Sequence, residues 1–268
     1  MFPFFNVFGK TISMYSIMAL AGALCAGLYS CRAALRRFPD YMDTLVLLLI
    51  SAAGAVVGGH ILYAFTQYEE LFYFLGNFGK INSFRSMAGV LSYLFGGSVF
   101  YGGLLGGILF GMIYLKKGKK NFYEYGDIVA AAIPLFHAFG RVGCFFSGCC
   151  YGVECSFGIT FSSSPVPGAN GVHRFPVQLL EAGFNMTLFI LLAVLFYKNK
   201  IKGRLFLLYL IIYSCARFCF EFLRGDEIRG FLLGFSTSQI ISAAVFIISL
   251  FLFIRRRKIE ESSVMRNI

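Results

Sequence analysis

Apolar residues in this chain fall into seven long runs, at roughly 12–30, 43–66, 91–115, 126–148, 176–197, 204–223 and 232–254. Short polar connections separate them. Each run is close to the ~20 residues with which an α-helix crosses a hydrocarbon core. None alternates apolar and polar positions in segments of about ten residues, as a membrane β-barrel would. Lipid offers backbone groups no partner outside their own segment, so the runs predict helices. The expected fold is all-α: a polytopic membrane protein, one integral-membrane domain over 1–268 with seven transmembrane helices.

Basic residues set the orientation. Arg32, Arg36 and Arg37 lie in connection 31–42, Lys116, Lys117, Lys119 and Lys120 in 116–125, and Lys198, Lys200, Lys202 and Arg204 in 198–204. Arg255, Arg256, Arg257, Lys258 and Arg266 lie in the tail 255–268. With seven spans all of these fall on one side. The other side keeps only Lys10, Lys80, Arg85, Arg174, Arg224 and Arg229. The positive-inside rule then puts the N-terminus outside and the C-terminus in the cytoplasm. Residues 67–90, with Tyr68, Phe72, Tyr73, Phe74 and Phe78, are too short and interrupted to span; they read as an external interfacial or re-entrant element. External residues 150–175, rich in Ser, Pro and Gly, suit a flap facing substrate. Arginines follow the run 12–30 rather than precede it, so no cleavable leader is expected.

Composition agrees with a membrane protein: 58% of the 268 residues are hydrophobic and 14% charged. A net charge of +11 would suit a nucleic acid, but the charge sits at span ends and forms no basic stripe with exposed aromatics, so no nucleic-acid partner is expected. Of eight cysteines, Cys25, Cys31, Cys215 and Cys219 lie in spans as small apolar residues. Cys144, Cys149, Cys150 and Cys155 form C-x4-C-C-x4-C, which is not a usual zinc spacing. An outer location permits a Cys144–Cys149 or Cys150–Cys155 disulfide. The pattern leaves open a disulfide, an unreactive thiol, a catalytic or substrate-like thiol, and a metal ligand. No metal or organic cofactor is expected.

Residues His137–Gly152, HAFGRVGCFFSGCCYG, concentrate the candidate chemistry. Arg141 stands in an apolar run, where an arginine costs about 2.5–3.5 kcal/mol on insertion scales and is seldom idle. Gly140, Gly143, Gly148 and Gly152 allow sharp turns or close approach to a ligand. Arg217 and Glu221 are four apart and share a helix face. They either neutralise each other, or Glu221 orients Arg217 toward an anion that Arg141 also contacts. Two guanidiniums would match a phosphodiester. Tyr101 opens a glycine-rich run, Tyr101–Gly107, that serves either close helix packing or a site. His60, after Gly58-Gly59, reads as a hydrogen-bonded structural residue or a catalyst.

Gly140-Arg141-x-Gly143-x-Phe145-x-x-Gly148-x-x-x-Gly152 resembles the signature of the prolipoprotein diacylglyceryl transferase family. Further segments match in the family's order. Met14-Tyr15-Ser16 resembles W-Y-G, Gly58-Gly59-His60-x-x-Tyr63 resembles G-G-R-x-G-Y, and Phe100-Tyr101-Gly102-Gly103-Leu104-x-Gly106 resembles F-H-G-G-L-x-G. Phe175-Pro176-x-Gln178-Leu179-x-Glu181 resembles H-P-x-Q-L-Y-E, Arg217-Phe218-x-x-Glu221-Phe222-x-Arg224 matches R-F-x-x-E-F-x-R, and Ser236-Thr237-Ser238-Gln239 resembles S-x-x-Q.

The resemblance implies a multi-pass enzyme of the bacterial plasma membrane. It would move the diacylglyceryl group of phosphatidylglycerol onto the lipobox cysteine thiol of a preprolipoprotein, held by its signal peptide, with membrane lipid around both substrates. Carried over residue by residue, it implies catalytic roles for Tyr15, Tyr101, Arg141, Arg217 and Glu221. Substrate would be bound by Arg141, Cys144, Gly152, Gln178, Glu181, Arg224, Gln239 and His60. The chain departs from the pattern at Cys144 and Ser147 (Asn in the family), Cys149 (acidic), Tyr101 (His), His60 (Arg) and Phe175 (His). Those departures define an alternative: a family paralogue that transfers to another thiol, or that only binds or moves phospholipid.

Overall fold

The computed structural model describes residues 3–7, 9–69, 72, 76, 87, 89, 96–226, 231–232 and 234–265. The long helices among them are α1 (Met14–Ala34), α2 (Met42–Thr66), α3 (Phe100–Lys117), α4 (Phe122–Ser147), α5 (Val177–Tyr197), α6 (Leu205–Phe220) and α7 (Thr237–Met265). Among the described residues, six helices are long and apolar enough to cross a membrane; α3, with 18 residues and two terminal lysines, is not among them. The interfacial element expected at 67–90 lies largely outside the described residues.

The described residues also include three two-stranded antiparallel hairpins, a feature absent from an all-α reading: β1 (Phe4–Val7) with β2 (Lys10–Ser13), β3 (Glu154–Thr160) with β4 (His173–Arg174), and β5 (Phe231–Leu232) with β6 (Phe235–Ser236). The first precedes α1 and the other two lie in connections, where strands too short to leave a periodic signal can still pair. α3 begins at Phe100, not near 91. Just before it the chain is extended, with Val99 N–H bonded to the Gly59 carbonyl.

The chain forms two compact units. The first comprises Met1–Arg37 and Tyr123–Ile268, the second Phe38–Phe122. In the first, buried positions on α1 are small (Gly22, Ala33, Ala34), while Leu20, Leu24 and Leu28 form an exposed stripe. Such an arrangement suits lipid, which is as apolar as leucine and rewards close approach of small residues instead. α4 is the most buried span and carries Ala130, Ala131, Ala132 and Ala138 into the core.

One end of this unit is knotted by Asp127, a fully buried carboxylate on α4. It pairs with Arg37, just after α1 (2.9 Å), and accepts the backbone N–H groups of Gly203 and of Leu205 (2.9 Å) at the start of α6. Nearby, the Arg256 guanidinium of α7 stacks over the Tyr123 ring at 3.3 Å. Groups from three connections, which the charge count puts on one side, thus meet at one end. The opposite end holds the starts of α1, α5 and α7 and the ends of α4 and α6.

In the second unit α2 and α3 touch backbone to backbone. A Cβ at Gly58 would lie 2.3 Å from the Gly102 carbonyl oxygen, and one at Gly106 would lie 2.2 Å from that of Gly54. Paired G-x-x-x-G motifs on both helices make that contact possible. The Tyr101–Gly107 glycines are therefore used for helix packing.

Candidate active site

Arg141 lies on α4, buried in the first unit. Its Nε is ion-paired with Glu181 Oε2 on α5. One turn beyond Glu181, Asn185 Nδ2 donates to the Glu181 carbonyl (2.7 Å) and so fixes that turn. Arg217 Nη1 lies 2.7 Å from Glu221 Oε2, so the i,i+4 pair read from the sequence forms, at the point where α6 tightens into a 3-10 turn over Glu221–Leu223. Tyr213, one turn before Arg217, links the two pairs. It is within hydrogen-bonding reach of Arg141, and Glu181 and Arg217 also act on it electrostatically. Its ring stacks on Tyr209 (5.6 Å) and packs against His137 (5.3 Å). The site is thus a buried layer of charge carried by α4, α5 and α6.

Gln178 and Glu181 share one face of α5. Gln178 Nε2 donates to the Cys149 carbonyl (2.9 Å). Its Oε1, and Glu181 Oε1, are buried without a hydrogen-bond partner among the described residues. Orphaned buried acceptors are rare and ask for an explanation. Glu181 Oε1 belongs to the carboxylate that pairs with Arg141, and Gln178 lies one turn before it; a ligand bearing hydroxyls would satisfy both acceptors.

α4 ends in a Schellman turn. Gly148, at φ +68°, takes the left-handed position; its N–H bonds to the Phe145 carbonyl (3.2 Å), and Cys149 N–H bonds to that of Cys144 (3.2 Å). This motif sets the residue after the glycine against the one five before it, here Cys149 against Cys144. Cys150 also has positive φ, +53°, which brings its thiol to the same place. The three sulfurs lie within 4.8 Å of one another. No disulfide forms: all eight cysteines are free thiols, Cys155 included. Hydrogen bonds from Cys144 and Cys149, and then the Arg224 and Arg141 guanidiniums, pull the Cys150 thiol below the ordinary thiol range. Cys149 is pushed up to about 11: its bond with Cys144 lowers it, but the bond with Cys150 and burial outweigh that. Tyr15, at the start of α1, packs against Gly143 and adjoins the same sulfurs.

Gly152 serves the backbone. A Cβ there would lie 2.3 Å from the Phe175 carbonyl oxygen. Glycine lets Gly152 bridge to Arg224 while Val153 N–H bonds to the Leu223 carbonyl (3.0 Å). Arg224 itself is held by both carboxylate oxygens of Asp226 (3.1 and 2.7 Å). The serine-rich loop that follows is folded. Tyr151, Phe161 and Ala169 form a small core, and Ser164 Oγ donates to the Ser147 and Gly148 carbonyls (3.1 Å each).

Three further expected site residues have contacts of their own. Tyr101 and His60 belong to the second unit, where His60 Nδ1 meets the Gly97 carbonyl at 2.7 Å, the structural use weighed above. Gln239 completes a capping box on α7: its Oε1 accepts the Ser236 N–H (3.0 Å), and Ser236 Oγ accepts the Gln239 N–H (3.2 Å). Tyr213 was absent from the sequence reading. Its signal was its place one turn before Arg217, hidden because a tyrosine in an apolar run looks like packing.

A family model described as prolipoprotein diacylglyceryl transferase matches residues 3–255. Among similar proteins is a phosphatidylglycerol–prolipoprotein diacylglyceryl transferase of Clostridium tetani (strain Massachusetts / E88), 32% identical over 251 residues that cover 93% of this chain and 95% of the relative. A protein of Clostridium perfringens (strain 13 / Type A) with the same description, numbered 2, is 32% identical over 250 residues, 92% of each chain. One of Clostridium botulinum (strain Loch Maree / Type A3) is 31% identical over 254 residues, 92% of this chain and 93% of the relative.

Proposed function

The chain belongs to the prolipoprotein diacylglyceryl transferase family, and we propose that its buried arginine layer carries out that family's reaction. The diacylglyceryl group of phosphatidylglycerol passes to the lipobox cysteine thiol of a preprolipoprotein presented by its signal peptide. A sulfur–carbon bond forms, the carbon–oxygen bond to phosphate breaks, and glycerol phosphate leaves with the thiol's proton.

One observation carries this reading: Arg141 and Arg217, each fixed by a buried carboxylate, flank Tyr213. The attacked carbon is an unactivated glyceryl CH2, so most of the barrier lies in expelling a phosphate. Preorganised guanidiniums are worth most where that charge develops away from water. Glu181 engages Nε, which leaves the Nη edge of Arg141 to face Tyr213 and the phosphate. The orphaned oxygens of Gln178 and Glu181 are suited to accept the hydroxyls of the glycerol headgroup. Tyr15 and Cys144 border the site; Gly152 and Arg224 shape its rim. Tyr101, His60 and Gln239 keep the roles the family motifs give them as proposals only.

The meeting of Arg37, Asp127 and the α5–α6 connection at one end supports seven spans with an outer N-terminus and a cytoplasmic tail. The arginine layer then faces the outer leaflet of the bacterial plasma membrane, and the 150–175 hairpin is the flap over it. Complementation of a strain depleted of its own transferase tests the function, scored by lipid labelling of a lipoprotein precursor. Labelling that disappears in Arg141→Ala and Arg217→Ala supports the reading. Absence of labelling in a correctly inserted wild-type chain overturns it in favour of a paralogue that only binds or moves phospholipid.

A further inference from the structure

Three thiols converge at the end of α4, and the proposed transfer assigns no step to them as a group. We propose that Cys144, Cys149 and Cys150 form a three-thiolate site for a soft metal ion, with monovalent copper the ion that fits. The site rests on its own geometry and stands or falls apart from the transferase reading.

The backbone builds this cluster deliberately. The Schellman turn at Gly148 folds Cys149 back onto Cys144, and Cys150 holds a left-handed conformation that non-glycine residues seldom adopt. The Gln178 amide ties down the intervening carbonyl of Cys149. With metal–sulfur bonds of about 2.3 Å, a trigonal ion needs sulfurs somewhat under 4 Å apart. The sulfurs are already within 4.8 Å of one another, so the approach required is under about 1 Å.

Donor set and charge select the ion. The group that converges is all sulfur, with no imidazole or carboxylate in it. Thiolate-only sets favour monovalent copper, zinc or iron–sulfur clusters. Structural zinc takes four protein ligands, catalytic zinc three with a water in the fourth position, and an iron–sulfur cluster four cysteines; the three sulfurs that converge here complete a shell by themselves only for monovalent copper. Cys155, the remaining cysteine of the motif, is outside the group. Three thiolates with a monovalent ion carry two negative charges, and the Arg141 and Arg224 guanidiniums both act on Cys150. Each guanidinium also holds a carboxylate, Arg141 that of Glu181 and Arg224 that of Asp226, so they moderate the charge of the centre rather than cancel it. Loading would release the thiol protons and require no change of oxidation state.

The full chain, purified in detergent micelles under anaerobic reducing conditions, would be titrated with monovalent copper against the chelator bicinchoninate. A single tightly held ion per chain is expected, with an ultraviolet sulfur-to-copper band and a first shell of three sulfurs by X-ray absorption. The band should vanish in Cys150→Ser and Cys149→Ser and persist when Cys25, Cys31, Cys215 and Cys219 are all changed to Ser. The first-shell measurement on wild-type protein decides the matter even if a variant fails to fold. A shell of two sulfurs, copper no tighter in wild type than in Cys150→Ser, or retention of zinc over copper in an equimolar challenge overturns the proposal.

Discussion

Arg141 on α4 and Glu181 on α5 form an ion pair with side chains only 18% and 3% exposed. Burying such a pair gains little net stability, because desolvation offsets the attraction; removing one partner strands the other and costs about 3–5 kcal/mol. On the proposed function, Glu181 holds Arg141 in readiness for an anionic substrate. Glu181→Ala should lower unfolding stability in detergent by about 3 kcal/mol and abolish transfer. Arg141→Lys keeps the charge but loses the planar fork. It should cut kcat about a hundredfold, as loss of a preorganised donor does, with stability reduced less. Lipid transfer to a lipobox peptide, measured beside thermal unfolding, separates the two effects.

Tyr213→Phe removes one hydroxyl and leaves the stack with Tyr209 and His137 intact. A hydrogen bond to a charged group contributes about 1.5–3 kcal/mol. If Tyr213 positions Arg141, kcat should fall about tenfold or more while KM stays near wild type, and the unfolding temperature should drop by the few degrees that loss of this bond implies. An unchanged kcat would reduce Tyr213 to packing.

Gln239 allows its two roles to be told apart. As a capping residue, Gln239→Ala should cost about 1 kcal/mol of stability and spare turnover at low temperature. Loss of activity in a fully folded Gln239→Ala variant would restore the substrate-binding role carried by the family motif.

Gly58→Leu places a side chain where a Cβ alone would stand 2.3 Å from the Gly102 carbonyl oxygen. Protease accessibility of the α2–α3 unit should rise sharply, and the protein should lose at least 1–3 kcal/mol, the usual cost of overpacking being about that much.

The helices were largely legible because lipid imposes one solution on a long apolar run. The ends of α2 and α5 fall within a residue or two of where the hydropathy pattern puts them. The start of α3 was not, since Gly96–Val99 are apolar enough to extend the run yet bond back to α2. Arg217–Glu221 was legible from spacing alone. The cysteine cluster was hidden: C-x4-C-C brings sulfurs together through left-handed backbone at Gly148 and at Cys150, which sequence periodicity does not encode. The S-x-x-Q at 236–239 was read as a family motif, although it is also the pattern of a capping box. Asp127 escaped notice because a single acid near a span end looks solvated until its partners, 76 to 90 residues away along the chain, are known.

The Asp127 knot would also act as a checkpoint on insertion. On the proposed topology, Arg37 and the connection before α6 are among the segments whose charge orients the chain, and the same segments supply the groups that satisfy Asp127. Only a chain whose α1 end, α4 start and α5–α6 connection emerge on one side of the bilayer can satisfy that carboxylate. A wrongly threaded chain keeps a naked acid in its core. Correct topology is thereby converted into a stability difference that quality-control proteases can read.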